Sequence, residues 1–188
     1  MKDNQKLAAI IKATLELTHE QGLAGIKMST LAKRAGIATG SLYTYFEDKQ
    51  DLLLSVNQHV RKMGAGYLLQ RLDPNLNLPD RLLSLIENFA DYIGDNREAI
   101  VFADLLKRSP YMTEAAAQEA MEQYAFLFAL LQEGQANGDI RQGDPEQLMH
   151  VIYGILKSLI DFQSLKGLPY GPDVRNACRD TVWRILMP

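Results

Sequence analysis

The chain has 188 residues, a formal net charge of −3, 47% hydrophobic side chains and one cysteine. That is enough apolar material for one ordinary domain plus a small appended one, and no stretch combines high charge with low hydrophobicity as a disordered tail does. Cys178 has no internal disulfide partner, residues 1–5 lack the apolar core of a signal peptide, and the longest apolar runs are too short or too charged to span a bilayer. No membrane segment and a cytoplasmic location are therefore expected.

In chain order, Ile10, Ala13, Thr14 and Leu17 recur at the spacing of one helix face, and Gly22 is expected to end that helix. A short helix over about 29–35 buries Leu31 and Ala32 and stops at Gly36, and a second short one follows over about 39–45. Asp48 begins a long helix, with Asp51 three residues on resembling the reciprocal partner of a capping box and Leu52, Leu53, Val56 and Val60 forming its apolar face. Pro79 and Asp80 open a helix that ends at 94–96. The next, over about 97–107, stops before Ser109 and Pro110, because a residue preceding proline disfavours helical geometry. One long helix is expected over 113–138. Asp144, Pro145 and Glu146 start another that runs to about 166, and the last spans about 173–186. The pattern is all-α with about nine helices and no alternating strand.

The charge is unevenly spread. Residues 1–50 hold seven Lys/Arg against five Asp/Glu and residues 51–188 thirteen against eighteen, so the mildly basic part is the N-terminal quarter. That quarter contains two one-to-two-turn helices meeting at Gly36. Such short helices are marginal alone and must be held by packing Leu31, Ile37 and Leu42 on their neighbours. In a helix-turn-helix this leaves the start of the second short helix protruding, where small residues can approach base edges and phosphates.

The segment Leu31-Ala32-x-x-Ala35-Gly36-Ile37-x-x-Gly40-Ser41-Leu42-Tyr43-x-Tyr45-Phe46-x-x-Lys49-x-x-Leu52-Leu53 resembles the DNA-binding motif of the tetracycline-repressor (TetR) family, over about residues 7–56. The resemblance implies a helix-turn-helix reader at 1–47 and a helical ligand-binding and dimerisation domain at 48–188. It implies that Ser29 and Thr30 touch phosphate, that Ala38, Thr39, Gly40 and Ser41 face the major groove, that Tyr43 and Tyr45 lie on the sugar-phosphate backbone, and that Lys49 pairs with a phosphate. Hydroxyls, backbone N–H groups and lysines are the usual positioning donors. Thr44 stands where many relatives carry a larger aromatic or His, which weakens one backbone contact. With few long polar side chains on the reading helix, Lys33 or Arg34 is expected to add contacts, and DNA shape some of the specificity.

Gly64-Ala65-Gly66 is not a phosphate loop, the three histidines are scattered, and Ser41 lacks the second glycine of a nucleophile elbow. Neither metal nor cofactor is expected, and the chain is not expected to be an enzyme. Cys178 reads as a small buried thiol.

Behind the reader, aromatic and methionine side chains exceed what a bundle seam needs. Given the resemblance, Tyr67, Phe89, Tyr92, Phe102, Leu106, Met121, Tyr124 and Phe128 are the candidate lining of an effector pocket, although an apolar stripe at helical spacing is more often core. Asn88, Asp91, Asp104, Glu122 and Gln123 are candidate polar orienters or a solvated face. The two last helices carry more apolar surface than one core requires, and the resemblance implies a two-fold dimer interface there, with Ile152, Ile155, Leu156, Leu159, Val182 and Trp183 in it. The partners expected are a double-stranded DNA operator, a second copy of the chain and an unidentified small-molecule effector. The function so read is a homodimeric repressor released from a palindromic operator. Its rivals are a small helical enzyme or carrier, for which no convergent acid, base or nucleophile is seen, and a DNA-binding regulator without a ligand.

Overall fold

The computed structural model describes residues 2–188, and every regular element among them is an α-helix. The order is α1 (Lys2–Gly25), α2 (Met28–Arg34), α3 (Thr39–Leu42), α4 (Lys49–Gln70), α5 (Leu78–Asp95), α6 (Arg97–Lys107), α7 (Glu114–Glu122), α8 (Ala125–Asn137), α9 (Pro145–Leu165) and α10 (Pro172–Leu186). The described residues thus hold ten helices rather than nine, because the single helix expected over 113–138 is interrupted. Tyr124, at φ −108° and ψ 15°, lies outside helical geometry. Nothing in composition marks this break. The two halves differ in burial: α7 buries none of its residues, whereas α8 buries Leu127, Leu130, Leu131 and Gly134.

The chain divides into two compact units, one holding the chain up to Met63 together with Arg97–Glu122, the other Gly64–Asn96 and Gln123–Pro188. In the first, Ile10, Leu17, Leu31, Leu42, Leu52, Leu53, Phe102 and Leu106 are almost wholly buried in one cluster. Each such side chain contributes about 1.5–3 kcal/mol by leaving water, which is what stabilises helices as short as α2 and α3. Helix α6 packs on α1, so a segment far along the chain helps hold the N-terminal helices. Gly36, at φ +70°, makes the turn after α2 in a conformation that a Cβ would strain. Gly22, at φ +69°, breaks α1 as expected, although three more residues complete a further turn before Ile26 enters the core.

Helix α4 begins at a reciprocal cap. The Asp51 N–H donates to Asp48 Oδ1 at 2.9 Å, and Asp51 Oδ2 accepts from the Glu47 N–H at 2.9 Å, one residue earlier than a regular capping box would have it. Helix α3 is shorter than expected, ending at Leu42, with Tyr43 as its C-cap.

In the second unit α5, α9 and α10 pack on one another, and α8 packs on α5 and α9. Its core includes Leu82, Ile86, Ile93, Leu127, Leu131, Ile152, Leu156, Ile160, Cys178 and Val182. Asn77 caps α5 through the Asp80 N–H, and Asp144 caps α9 through the Glu146 N–H, each at 2.9 Å. No helix among the described residues is long and apolar enough to cross a membrane.

Candidate nucleic-acid interface

Helices α2 and α3 bury Leu31, Ala32 and Leu42, pack Met28 against the same core and leave most of their other side chains exposed. Ser29, Thr30, Lys33, Ala38, Thr39, Gly40 and Thr44 are exposed, Ser41 is half-buried, and the Tyr43 ring is 52% exposed. Ala38 is the N-cap of α3 with extended backbone, so the first N–H groups of α3 and the Thr39 hydroxyl share one protruding tip. A Cβ built on Gly40 meets nothing within 4 Å, and its φ is not positive. The fold alone therefore does not require glycine here.

The basic residues around this tip are not equally free. Arg34 holds Glu20 of α1 with two contacts of 2.8 Å and reaches Glu16 at 3.4 Å, so its guanidinium is already matched by carboxylates. The hydrogen bond from Arg34 keeps the Glu20 carboxyl below its ordinary range. Lys33 is exposed at the end of α2. Lys49 Nζ lies 3.2 Å from the Ala24 carbonyl oxygen and 5.2 Å from the centre of the Tyr111 ring. An ammonium carries three protons, so this leaves donors for a phosphate. Tyr45 packs against the core and donates its hydroxyl to Asp3 Oδ1 at 2.9 Å, which raises its pKa. The Thr44 hydroxyl donates to the Ser41 carbonyl at 2.7 Å, stiffening the turn after α3. The Asp3 and Glu20 partnerships are long-range pairings that no spacing in the sequence announces.

The residues expected to line an effector pocket are shared between the two units. Phe102 and Leu106 are wholly buried in the core of the first unit, which also holds Met121 on α7. In the second unit, Tyr67 and Tyr92 meet at 5.3 Å between ring centres, and the rings of Tyr92 and Tyr124 fill the space where a Cβ of Gly64 would stand. Phe89 stacks on Tyr153 at 6.0 Å, and Phe128 is half-buried on α8. Asp91 accepts from the Tyr170 hydroxyl at 2.7 Å and pairs with Arg175 at 3.3 Å, so it is engaged within its own unit. Among the described residues no group of His, Cys, Asp and Glu could hold a metal ion.

On α9 and α10, Ile152, Leu156 and Val182 are buried inside the chain's own core, whereas Ile155, Leu159 and Trp183 are half-buried. Val151 and Phe162 are 45% and 51% exposed, and Gly154 between them has open space where a Cβ would stand. The outward apolar ridge of α9 is thus Val151, Ile155, Leu159 and Phe162, offset from half of the residues the sequence suggested.

A family model described as bacterial regulatory proteins, tetR family, matches residues 10–56, and one described as tetracyclin repressor-like, C-terminal domain, matches residues 69–187. The chain belongs to the TetR family. It is a DNA-binding transcriptional regulator and not an enzyme. This TetR-family chain is 29% identical over 162 residues to the fatty acid metabolism regulator protein of Bacillus subtilis, covering 82% of this chain and 81% of that one. Its fold is that of a TetR family transcription regulator from Marinobacter aquaeolei, with a TM-score of 0.89 at 20% identity over 98% of this chain and 97% of that one. The transcriptional regulator FadR of Bacillus subtilis, solved in complex with stearoyl-CoA, superposes with a TM-score of 0.76 at 22% identity, covering 96% and 97% of the two chains.

Proposed function

We propose that this regulator is a homodimeric cytoplasmic repressor that reads a near-palindromic operator with α2 and α3 and leaves it when a long-chain acyl-CoA binds. Residues 1–47 act as the reader and residues 48–188 as the sensing and dimerising part. The observation that carries the reading half is the tip of α3, where exposed Thr39 and Tyr43 flank a glycine whose lack of a side chain the fold itself does not need. Thr39 and Ser41 would contact base edges, with Ser29, Thr30, Lys33, Tyr43 and Lys49 on phosphates. The acyl-CoA class is supported by the fatty acid metabolism regulator of Bacillus subtilis and by the stearoyl-CoA held in the structure of FadR from that organism.

The dimer is supported by the exposed ridge of Val151, Ile155, Leu159 and Phe162, which a second copy of α9 would cover, the open face of Gly154 letting the helices approach closely. Coupling would run through the start of α4. Gln50 donates to the Tyr111 carbonyl at 3.1 Å, and Lys49 stands over the Tyr111 ring. A shift of the segment after α6 would therefore pull on the helix that directly follows the reader. Small rotations suffice, because two reading helices must keep a spacing of roughly 34 Å to enter successive major grooves. The test is selection of operator fragments with purified protein, followed by addition of palmitoyl-CoA. Release at micromolar ligand is expected. Binding that persists at saturating palmitoyl-CoA would contradict the acyl-CoA reading.

A further inference from the structure

Polar groups buried without a partner are rare, because each forfeits about 1–3 kcal/mol of hydration with no return. In the first unit this occurs on α4. Asn57 is 2% exposed, and its Oδ1 meets no donor among the described residues. One turn on, the Nε of half-buried Arg61 is also buried without an acceptor. Residues four apart on a helix share a face, with Cβ atoms roughly 5–6 Å apart. Along that face Asn57 is bracketed by Leu53 and Val60, both in the apolar cluster that also contains Phe102 and Leu106. Among the described residues the other fully buried polar side chains, Thr14 and Thr18, are each satisfied by a carbonyl four residues back, while in the second unit the Nε of Arg81 is also buried without an acceptor. Asn57 stands apart from the two threonines.

We propose that Asn57 and Arg61 hold the anionic part of the effector, either the carboxylate of a fatty acid or a phosphate of the CoA portion of an acyl-CoA. This rests on the reading that the effector is an acyl compound. A guanidinium presents planar donors that match carboxylate and phosphate oxygens, and a half-buried one attracts such a group more strongly than one in open water. The Asn57 amide offers a donor or an acceptor by turning over its plane, so it can hydrogen-bond the same group. Where that anion is a carboxylate, the apolar neighbours Leu53 and Val60 suit the first carbons of the chain. One half of the ligand is thus recognised by charge and the other by burial, which distinguishes an acyl anion from an uncharged lipid.

The test measures binding of palmitoyl-CoA, palmitate and uncharged hexadecanol by titration calorimetry to the full chain and to the variants Asn57→Leu and Arg61→Met. Melting and operator binding without ligand are measured alongside. The parent is expected to bind at least one of the two anions and to bind hexadecanol far more weakly; the anion preferred identifies the head group as phosphate ester or carboxylate. Each variant is expected to lose about tenfold or more in affinity for that anion. Operator binding should be unchanged. Asn57→Leu should melt no lower than the parent, since it removes an unpartnered polar atom. Should Asn57→Leu fail to fold, Arg61→Met, at a half-exposed position, carries the test alone. Variants that bind the anions as tightly as the parent, or a parent that binds hexadecanol equally well, would overturn the head-group assignment and leave the acyl effector standing. A parent that binds neither anion would overturn both.

Discussion

Arg34 and Glu20 face each other between α2 and α1 as a two-pronged ion pair, with both nitrogen–oxygen distances at 2.8 Å. The pair occupies the one arginine close to the reading tip and so subtracts a cation from the surface that a phosphate backbone would meet. Glu20→Gln is expected to free it, raising affinity for nonspecific DNA and steepening the salt dependence by about one counterion. Salt titrations of parent and variant measure this. An unchanged slope would mean that Arg34 stays away from DNA even when released. The pair also has a pH signature. Glu20 is held below its ordinary value of 4.5, so the stability it adds is complete above that value and disappears as the pH falls through its lowered pKa. The parent should lose its stability advantage over Glu20→Gln only in that acid range, and less visibly at high salt.

Gly40→Leu separates fold from contact. With open space around its Cβ position, the substitution should leave the melting temperature of the free protein unchanged or slightly raised. Operator affinity should fall by about tenfold or more, since an added side chain would stand where a base edge approaches. A variant that binds as the parent does would remove the tip of α3 from the interface.

Lys49 has a structural partner at Ala24 as well as an expected phosphate. Lys49→Ala should weaken binding to all DNA sequences and lower the salt slope by about one. A lowered melting temperature with an unchanged slope would instead assign Lys49 to holding the end of α1.

Much of this site was readable because its signals are local. The turn at Gly36, the cap of Asp48 and Asp51 and the buried positions Leu31 and Leu42 all depend on neighbours within a few residues, and spacing reports such neighbours directly. The break at Tyr124 does not. The segment around it contains neither proline nor glycine, so no local residue marks it. Likewise the pairing of Tyr45 with Asp3, the packing of α6 on α1 and the burial of Asn57 join or depend on residues far apart in sequence. One trace of Asn57 is visible in the sequence: it is a polar residue between Leu53 and Val60, two positions of the apolar face of α4.

The dimer face can be tested with residues that the chain does not use for its own core. Phe162→Glu or Val151→Glu should convert a dimer into a folded monomer and lower operator affinity by about a hundredfold, because the two reading heads no longer act together. Leu156→Glu is a poor probe of the same question. With Leu156 wholly buried in its own chain, an unpaired charge there should cost more than about 3 kcal/mol and unfold the second unit. Sedimentation with circular dichroism separates the two outcomes.

Cys178 is 0% exposed, and burial pushes its thiol from an ordinary 9.0 to about 11. It should resist aromatic disulfide reagents at pH 8 until denaturant is added, which argues against a redox sensor. Between pH 9 and 11 the unfolded thiol loses its proton while the folded one keeps it, so its contribution to stability declines as the pH rises through that window. Rapid labelling of the native protein would contradict the burial.

Selection from a random DNA pool tests the central claim most directly. Repeated rounds with the purified protein should enrich an inverted repeat whose half-site centres lie about one helical turn, or a multiple of it, apart, and the same selection with Thr39→Ala should relax preference at defined positions within each half. Enrichment of no common sequence, or of an identical one for parent and Thr39→Ala, would contradict the assignment of α3 as the element that reads the operator.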